Sequence, residues 1–249
     1  MARMKFQGVA NVLRFNWHYY LYALIFALVF FVAARLFHQP ILNLLALVAI
    51  GQALLSIVIS FFVYDHSRFY DFEWVDFLEL EGGSNLLNIH SGFDESSEAF
   101  RERFPGSRLC VFDFYEPARH TEVSIRRAQN MRPDNYGDVK ISTTAFPTSD
   151  NHFDASFVVF SAHEIRDDPE RIVFFRELRR TLKDSGPIIV TEHVRDVWNF
   201  LAYNLGAFHF LPLTTWLVTF KKAKLHVSKT IKITPFVTVF VLEKDGTAS

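Results

Sequence analysis

The sequence predicts an α/β protein carried on a two-helix membrane hairpin, with a doubly wound, mostly parallel sheet and an antiparallel terminal strand. Three observations predict it. Two long runs near the amino terminus hold almost no charge. Behind them, short apolar segments alternate with amphipathic ones. The chain then closes on two neighbouring strand-like segments joined by a two-residue turn.

Composition narrows the function classes first. Lys and Arg total 26 against 27 Asp and Glu, a net charge of −1 in 249 residues. That balance gives no electrostatic footprint for nucleic acid, and no nucleic-acid partner is expected. Half of the chain is apolar and the mean hydropathy is above zero, which leans toward membrane association. The single cysteine, Cys110, rules out an internal disulfide and a cysteine-only zinc site. In its apolar run "RLCVFDF" it reads as a small buried hydrophobe.

The hairpin rests on length. "WHYYLYALIFALVFFVAARLF", from Trp17 to Phe37, holds no charge before Arg35, and "ILNLLALVAIGQALLSIVISFFVY", from Ile41 to Tyr64, holds none. About 20 apolar residues cross the hydrocarbon layer as a helix. A secretory signal is shorter and is not followed at once by a second run. Two helices apolar on every face need a larger soluble core than this chain can supply. Trp17, Tyr19, Tyr20 and Tyr64 suit an interfacial aromatic belt, and the turn "HQP" between the runs is tight. Arg3, Lys5 and Arg14 precede the first run while Arg35 lies near the turn, so both ends are expected in the cytoplasm. The expected domains are an arm over 1–16, the hairpin over 17–64 and an α/β domain over 65–249. The expected location is a bacterial inner membrane, with the α/β domain cytoplasmic.

From Asp65 onward charge returns. "SNLLNIHSG" reads as strand and turn, "ESSEAFRERFP" as helix and "SRLCVFDF" as strand. "PARHTEVSIRRAQNM" follows as helix, "DVKISTTAF" as strand and "FDASFVVFSAHEI" as a buried strand. "DPERIVFFRELRRTLK" carries Ile172, Phe175, Leu178 and Leu182 on one stripe, and "GPIIVTEHV" is the next strand. Strands alternating with helices imply parallel pairing through right-handed crossovers. "LHVSKTIKI" and "FVTVFVLEK" then form an antiparallel edge hairpin.

In this order the segments resemble a class I S-adenosylmethionine-dependent methyltransferase, a Rossmann-like fold, over roughly residues 70–244. The pieces that carry the resemblance are "FPTSDNHFDASFVVFSAHEI", "FFRELRRTLKDSGPIIVTEH" and the terminal antiparallel pair. The resemblance implies S-adenosylmethionine as cofactor. It also assigns "NIHSGFDES" to the cofactor loop, where the family carries an acidic residue and then Gly-x-Gly-x-Gly. Here Asn88 stands at the acidic position, and His90, Gly92 and Asp94 stand at the three glycines. Close approach of backbone to the cofactor needs Gly92 most. His90 and Asp94 are tolerable if their side chains turn aside, and Asp94 can supply the charge that Asn88 lacks.

Asp113, at the end of "LCVFDF" about 20 residues past the loop, sits where a carboxylate accepts ribose hydroxyls. A helix-capping or turn role is the alternative. Where the family often carries an aspartate near the adenine, this chain has "ISTTAF", so Ser142 or Thr143 would serve.

Methyl transfer from a sulfonium needs alignment, exclusion of water and, for a protonated acceptor, a base. His163 with Glu164 ends the fourth strand and Glu192 with His193 ends the fifth. His163 or His193 can take a proton near neutral pH, with Glu192 beside them; capping and loop-holding roles are equally open. Asp154 reads as structural, and no spacing among the ten histidines forces a metal site.

Residues 197–220, "VWNFLAYNLGAFHFLPLTTWLVTF", fall where the family inserts a variable segment over the acceptor. They are broken by Gly206 and Pro212, so an interfacial lid is expected rather than a third span. Hairpin and lid together imply a lipophilic small-molecule acceptor dissolved among membrane lipids: a quinone, polyene or lipid type, methylated at O or C. A methyltransferase-like scaffold without activity and a nucleotide-binding dehydrogenase are the alternatives. The missing Gly-x-Gly-x-x-Gly loop counts against the last.

Overall fold

The computed structural model of the chain describes residues 4–80, 82–131 and 137–246. Arg3, one of the charges in the topology argument, lies outside them. Helix α1 runs from Gln7 to Leu36 with a break at Asn16 (φ −115°, ψ 16°), and α2 runs from Pro40 to Phe61. Pro40 suits the first turn of α2, where the missing N–H has no partner to lose. The two helices pack on each other, yet only Gly8, Phe15, Ala27 and Ala34 of α1 and Ala46 and Ser60 of α2 are buried. Leu, Ile, Phe and Val side chains stand exposed along both.

The rest is a seven-stranded sheet in the order β3-β2-β1-β4-β5-β7-β6. Its strands are β1 (Asn85–His90), β2 (Arg108–Asp113), β3 (Val139–Lys140), β4 (Ala155–Val159), β5 (Ile188–Glu192), β6 (Leu225–Thr234) and β7 (Val237–Lys244). The first five pair in parallel, and β7 inserts antiparallel between β5 and β6. The helices are α3 (Ser97–Arg103), α4 (Val123–Gln129), α5 (Asp168–Thr181), α6 (Val197–Tyr203) and α7 (Leu213–Lys222).

Strand alternation builds two cores, because successive side chains leave opposite faces of the sheet. Leu87, Ile89, Val158 and Val190 face α5 and α7, with Phe174, Phe175, Trp216 and Phe220 filling that layer. Leu86, Phe157, Ile189 and Val239 face Phe72, Val75 and Phe100 on the other side. Two elements are shorter than expected. The strand "DVKISTTAF" pairs only over Val139 and Lys140, and the helix expected across "PARHTEVSIRRAQNM" spans seven residues. Both lie at the open edge beyond β2, where fewer neighbours reward regular structure.

The hairpin is fastened to this domain by specific contacts. Asp65, one turn past α2, accepts from the backbone N–H groups of Gly8 (2.8 Å) and Val9 (2.7 Å) at the start of α1. A carboxylate there satisfies donors that a helix start leaves unpaired. Arg127 of α4 donates to the Phe15 carbonyl at 2.5 Å and lies over the Trp17 ring. Asn11 donates to Glu95 at 2.9 Å, and the Phe15 ring meets Phe93 edge-on at 5.2 Å. Phe93 follows Gly92, so the first turns of α1 lie against the loop after β1.

Candidate functional site

The carboxyl ends of β1, β2, β4 and β5 open on one side of the sheet, which is where ligands sit in open α/β sheets. The sequence-assigned residues gather there in two groups.

The first group surrounds the β1 turn. Gly92 has φ +95°, a conformation that side chains disfavour. Its N–H donates to His90 Nδ1 at 3.0 Å. His90 Nδ1 is therefore an acceptor, and Nε2 carries the hydrogen toward Asp138 Oδ2 at 3.0 Å. Asp113 closes the network: its Oδ1 accepts from the Tyr115 N–H at 2.8 Å, and its Oδ2 pairs with Lys140 Nζ. Asp94 is engaged within the turn itself. Its Oδ1 accepts from the N–H groups of Ser96 (2.9 Å) and Ser97 (3.0 Å) and from Asn88 Nδ2 (3.2 Å), starting α3. Asn88 also donates to the hydroxyls of Ser96 and Ser97. Asn88 of β1 and Asp94 ahead of α3 are thus bonded to each other.

Asp113, Ser142 and Thr143 line one cleft of about 280 Å³ with Tyr115, Lys140 and Ile141. Thr143 turns its hydroxyl toward Glu170 of α5, while Ser142 Oγ lies 3.0 Å from Thr144 Oγ1. A larger cleft, about 430 Å³, lies at the opposite, amino ends of β1 and β2 around Asn85 and Arg108. It is remote from the residues above.

Whether this turn suits a nucleoside-bearing sulfonium can be judged from its own atoms. A Cβ built on Gly92 would lie 2.6 Å from Gln129 Oε1 and 2.9 Å from Tyr115 Cγ. The cradle over the turn is therefore filled by this chain's own side chains. Yet Gln129 Oε1 and Asn88 Oδ1 are buried acceptors that find no partner among the described residues. Such atoms carry a desolvation cost that an incoming donor removes. Lys140, 59% exposed in its side chain, can leave Asp113 for solvent. The Gln129 and Asn88 oxygens and the Asp113 carboxylate are acceptors of the kind that the ammonium and ribose hydroxyls of S-adenosylmethionine would engage, in a cradle that Tyr115 and Gln129 now fill.

The second group lies at the ends of β4 and β5. His163 Nδ1 sits 2.7 Å from Glu192 Oε2, and the His163 N–H donates to Glu192 Oε1 at 3.1 Å. His163 Nε2 is 3.2 Å from Glu164 Oε1, and His209 Nε2 lies 3.1 Å from that same oxygen. Burial works against charging His163, but Glu192 and Glu164 outweigh it and hold its pKa up to about 10. His163 thus holds its proton near neutral pH.

His193 is the opposite case. Its Nδ1 donates to the Phe236 carbonyl at 2.8 Å, since a carbonyl only accepts, and its Nε2 accepts from Tyr64 Oη at 2.7 Å. Phe160 and Phe210 stack on its two faces at 4.7 and 4.9 Å. Burial pushes its pKa down to about 4, so the ring is neutral at pH 7. His193 and Glu192 therefore separate: one faces the aromatic box, the other serves His163.

Tyr64, Tyr115, Gln129, Lys140 and His209 were not assigned to the site from sequence. His209 left a signal, as the one imidazole in an otherwise apolar insertion. The other four carry none, since each arrives from a separate element. The insertion divides in two. α7 buries Trp216 and Phe220 in the core, whereas α6 and the 3₁₀ turn over Asn204–His209 leave Trp198, Phe200, Leu205 and Phe208 exposed.

No family model matches the chain, and no curated protein does. Solved structures share its fold. A SAM-dependent methyltransferase from Aquifex aeolicus aligns at a TM-score of 0.51 with 16% identity, over 72% of this chain and 94% of its own. A putative methyltransferase in complex with the Trm112 activator of Haloferax volcanii aligns at 0.52 with 13% identity, over 72% and 91%. A cyclase, SpnF, aligns at 0.51 with 15% identity, over 72% and 81%. The class is therefore a Rossmann-like methyltransferase fold. At these identities the likeness extends to the fold, and the cyclase shows that the fold carries more than one chemistry.

Proposed function

We propose that this chain is a membrane-anchored S-adenosylmethionine-dependent methyltransferase whose acceptor is lipophilic and reaches the site from the bilayer. The carrying observation is the contact between lid and hairpin. Gln52, a polar side chain inside the second apolar helix, donates from Nε2 to the Leu201 carbonyl at the end of α6 (2.8 Å). An amide within a span is costly unless paired, and its partner here belongs to the lid. The exposed face of α6 then continues the apolar surface of α1 and α2, above the ends of β4 and β5.

S-adenosylmethionine supplies an electrophilic methyl group on a sulfonium that is already an activated leaving group. The chain's own part is to position and to dry. Gly92 admits close approach of backbone, Asp113 offers a carboxylate to ribose, and Ser142 borders the same cleft. Phe160, Phe210 and Tyr203 exclude water around His193. Its Nε2 accepts the Tyr64 hydroxyl proton, so a proton leaving the substrate would reach the ring by relay, Tyr64 Oη taking it as the tyrosine's own proton passes to Nε2. At a pKa of about 4 the ring takes up a proton only from an acceptor acidified in place. Lys5 ahead of α1 and Arg14 in its first turns support a cytoplasmic α/β domain.

Calorimetric titration of the full-length protein in nanodiscs with S-adenosylmethionine and S-adenosylhomocysteine tests the reading. Saturable binding of both is expected. Absence of binding in lipid would leave the inactive-scaffold reading in its place.

A further inference from the structure

We propose that His163, Glu164 and His209 form a binding site for a zinc-type divalent transition-metal ion at the carboxyl ends of β4 and β5. The three residues present ligand atoms that all lie within 4.8 Å of one another. Glu164 Oε1 stands 3.2 Å from His163 Nε2 and 3.1 Å from His209 Nε2. For ligands about 2.0–2.2 Å from a metal, neighbours on a coordination polyhedron are separated by about 3 Å.

The outer partners point the same way. Each histidine has its second ring nitrogen against a different carboxylate: His163 Nδ1 against Glu192 at 2.7 Å, and His209 Nδ1 against Glu122 at 3.2 Å. The carboxylate behind His163 holds its Nδ1–H, so an ion arriving at Nε2 displaces the proton that this nitrogen presents to Glu164. At His209 the Arg166 guanidinium shares Nδ1 with Glu122, so the carboxylate takes over that nitrogen when the guanidinium leaves. Two imidazoles and one carboxylate select zinc, iron or manganese over magnesium and calcium, and they leave a coordination position open.

The other three-residue group, His90, Asp113 and Asp138, lacks these properties. Its His90 Nδ1 accepts from the Gly92 N–H, and its Asp113 is held by Lys140.

One cation already competes for the site. Arg166, which is exposed, donates from Nη1 to the His209 carbonyl and lays Nη2 against the His209 ring, closest to Nδ1 and 3.0 Å from Nε2. An arriving ion displaces that guanidinium into solvent. Phe210 separates this site from His193, with its ring 6.4 Å from that of His163 and 4.9 Å from that of His193. If methyl transfer is the reaction, the open position would take an acceptor oxygen and acidify its hydroxyl, which is what the weak base His193 requires. That role rests on the proposed function; the metal site does not.

The test uses untagged full-length protein in detergent, stripped with chelator and titrated with Co²⁺ in the absence of S-adenosylmethionine. One equivalent should bind with a visible ligand-field spectrum that Zn²⁺ abolishes. His209→Ala, in a side chain already 25% exposed, should fold normally and lose the spectrum. Glu192→Gln should weaken binding about 10- to 100-fold. Arg166→Gln should tighten it, and His152→Ala, on the exposed surface, should leave it unchanged. No uptake by the parent, or equal uptake by a folded His209→Ala protein, overturns the site and shows a hydrogen-bonded network instead. Calorimetry of the chelated protein with S-adenosylmethionine reads the proposed function separately.

Discussion

Tyr64 Oη donates to His193 Nε2 at 2.7 Å, so the end of the second apolar helix is hydrogen-bonded to the end of a central strand. The contact lies inside an aromatic box in which Tyr64 meets Phe160 and His193 meets Phe210 and Tyr203. Hairpin and candidate site therefore share a wall. Tyr64→Phe keeps the ring and strips the donor, leaving a buried imidazole nitrogen without its partner. A loss of about 1–3 kcal/mol is expected, read as a lower unfolding midpoint in micelles together with faster proteolysis between hairpin and domain.

His193 also sets a pH dependence. In the unfolded chain its pKa returns to about 6.5, above the folded value of about 4. As pH falls, the unfolded state takes up the proton first, so stability present above 6.5 is lost as the pH drops from 6.5 to 4. The difference corresponds to about 3 kcal/mol. Unfolding free energy measured across this window should fall less steeply in His193→Gln than in the parent. Equal slopes would show that His193 does not titrate abnormally.

Gly92 is constrained even without a ligand. Gly92→Ala places a Cβ 2.6 Å from Gln129 Oε1 at φ +95°, and should cost about 1–3 kcal/mol. Gln129→Ala removes both that obstruction and an unpaired buried carbonyl. In a double-mutant cycle it should recover part of the loss, and alone it should strengthen S-adenosylmethionine binding. Additive effects would separate the two residues.

Asp113 and Lys140 should act in opposite directions on the same equilibrium. Lys140→Met removes the ion pair on Asp113 Oδ2 and should raise S-adenosylmethionine affinity. Asp113→Ala should lower it by about 1–3 kcal/mol, the scale of hydrogen bonds to a charged group. An affinity indifferent to both places the ribose elsewhere.

The lid prediction is spectroscopic. Trp198 is 56% exposed on α6, and its fluorescence should shift to the blue when the protein moves from mild detergent into a lipid bilayer. Gln52→Leu removes the link to Leu201. It should reduce that shift and cost about 0.6 kcal/mol, a typical polar contact between membrane helices.

Much of the fold was legible because it rests on local periodicity. The two uncharged runs, the alternation of strands and helices, and the closing hairpin each follow from the order of apolar residues within about 20 positions. The stripe on α5 is one example. Sequence placed Ile172, Phe175, Leu178 and Leu182 inward; the last three are buried and Ile172 is half-buried, and sequence could not foresee that Arg171 is buried too. That guanidinium donates to the Ile165 carbonyl at 2.7 Å and lies near the Trp216 ring, partners that only folding brings close.

The sequence by itself determined the element order, the apolar hairpin and the gathering of acidic and imidazole side chains at strand ends, because strand ends are fixed by pattern. Tertiary structure decided what those side chains do. His163 and His193 are alike as residues at strand ends, yet one is charged by Glu192 and Glu164 and the other neutralised by aromatic burial. Asp94 went to α3 and Asp113 to Lys140. A protonation state depends on charges and solvent within a few ångströms, and those neighbours come from 29 positions away for Glu192 and 129 for Tyr64. Local pattern cannot encode that distance.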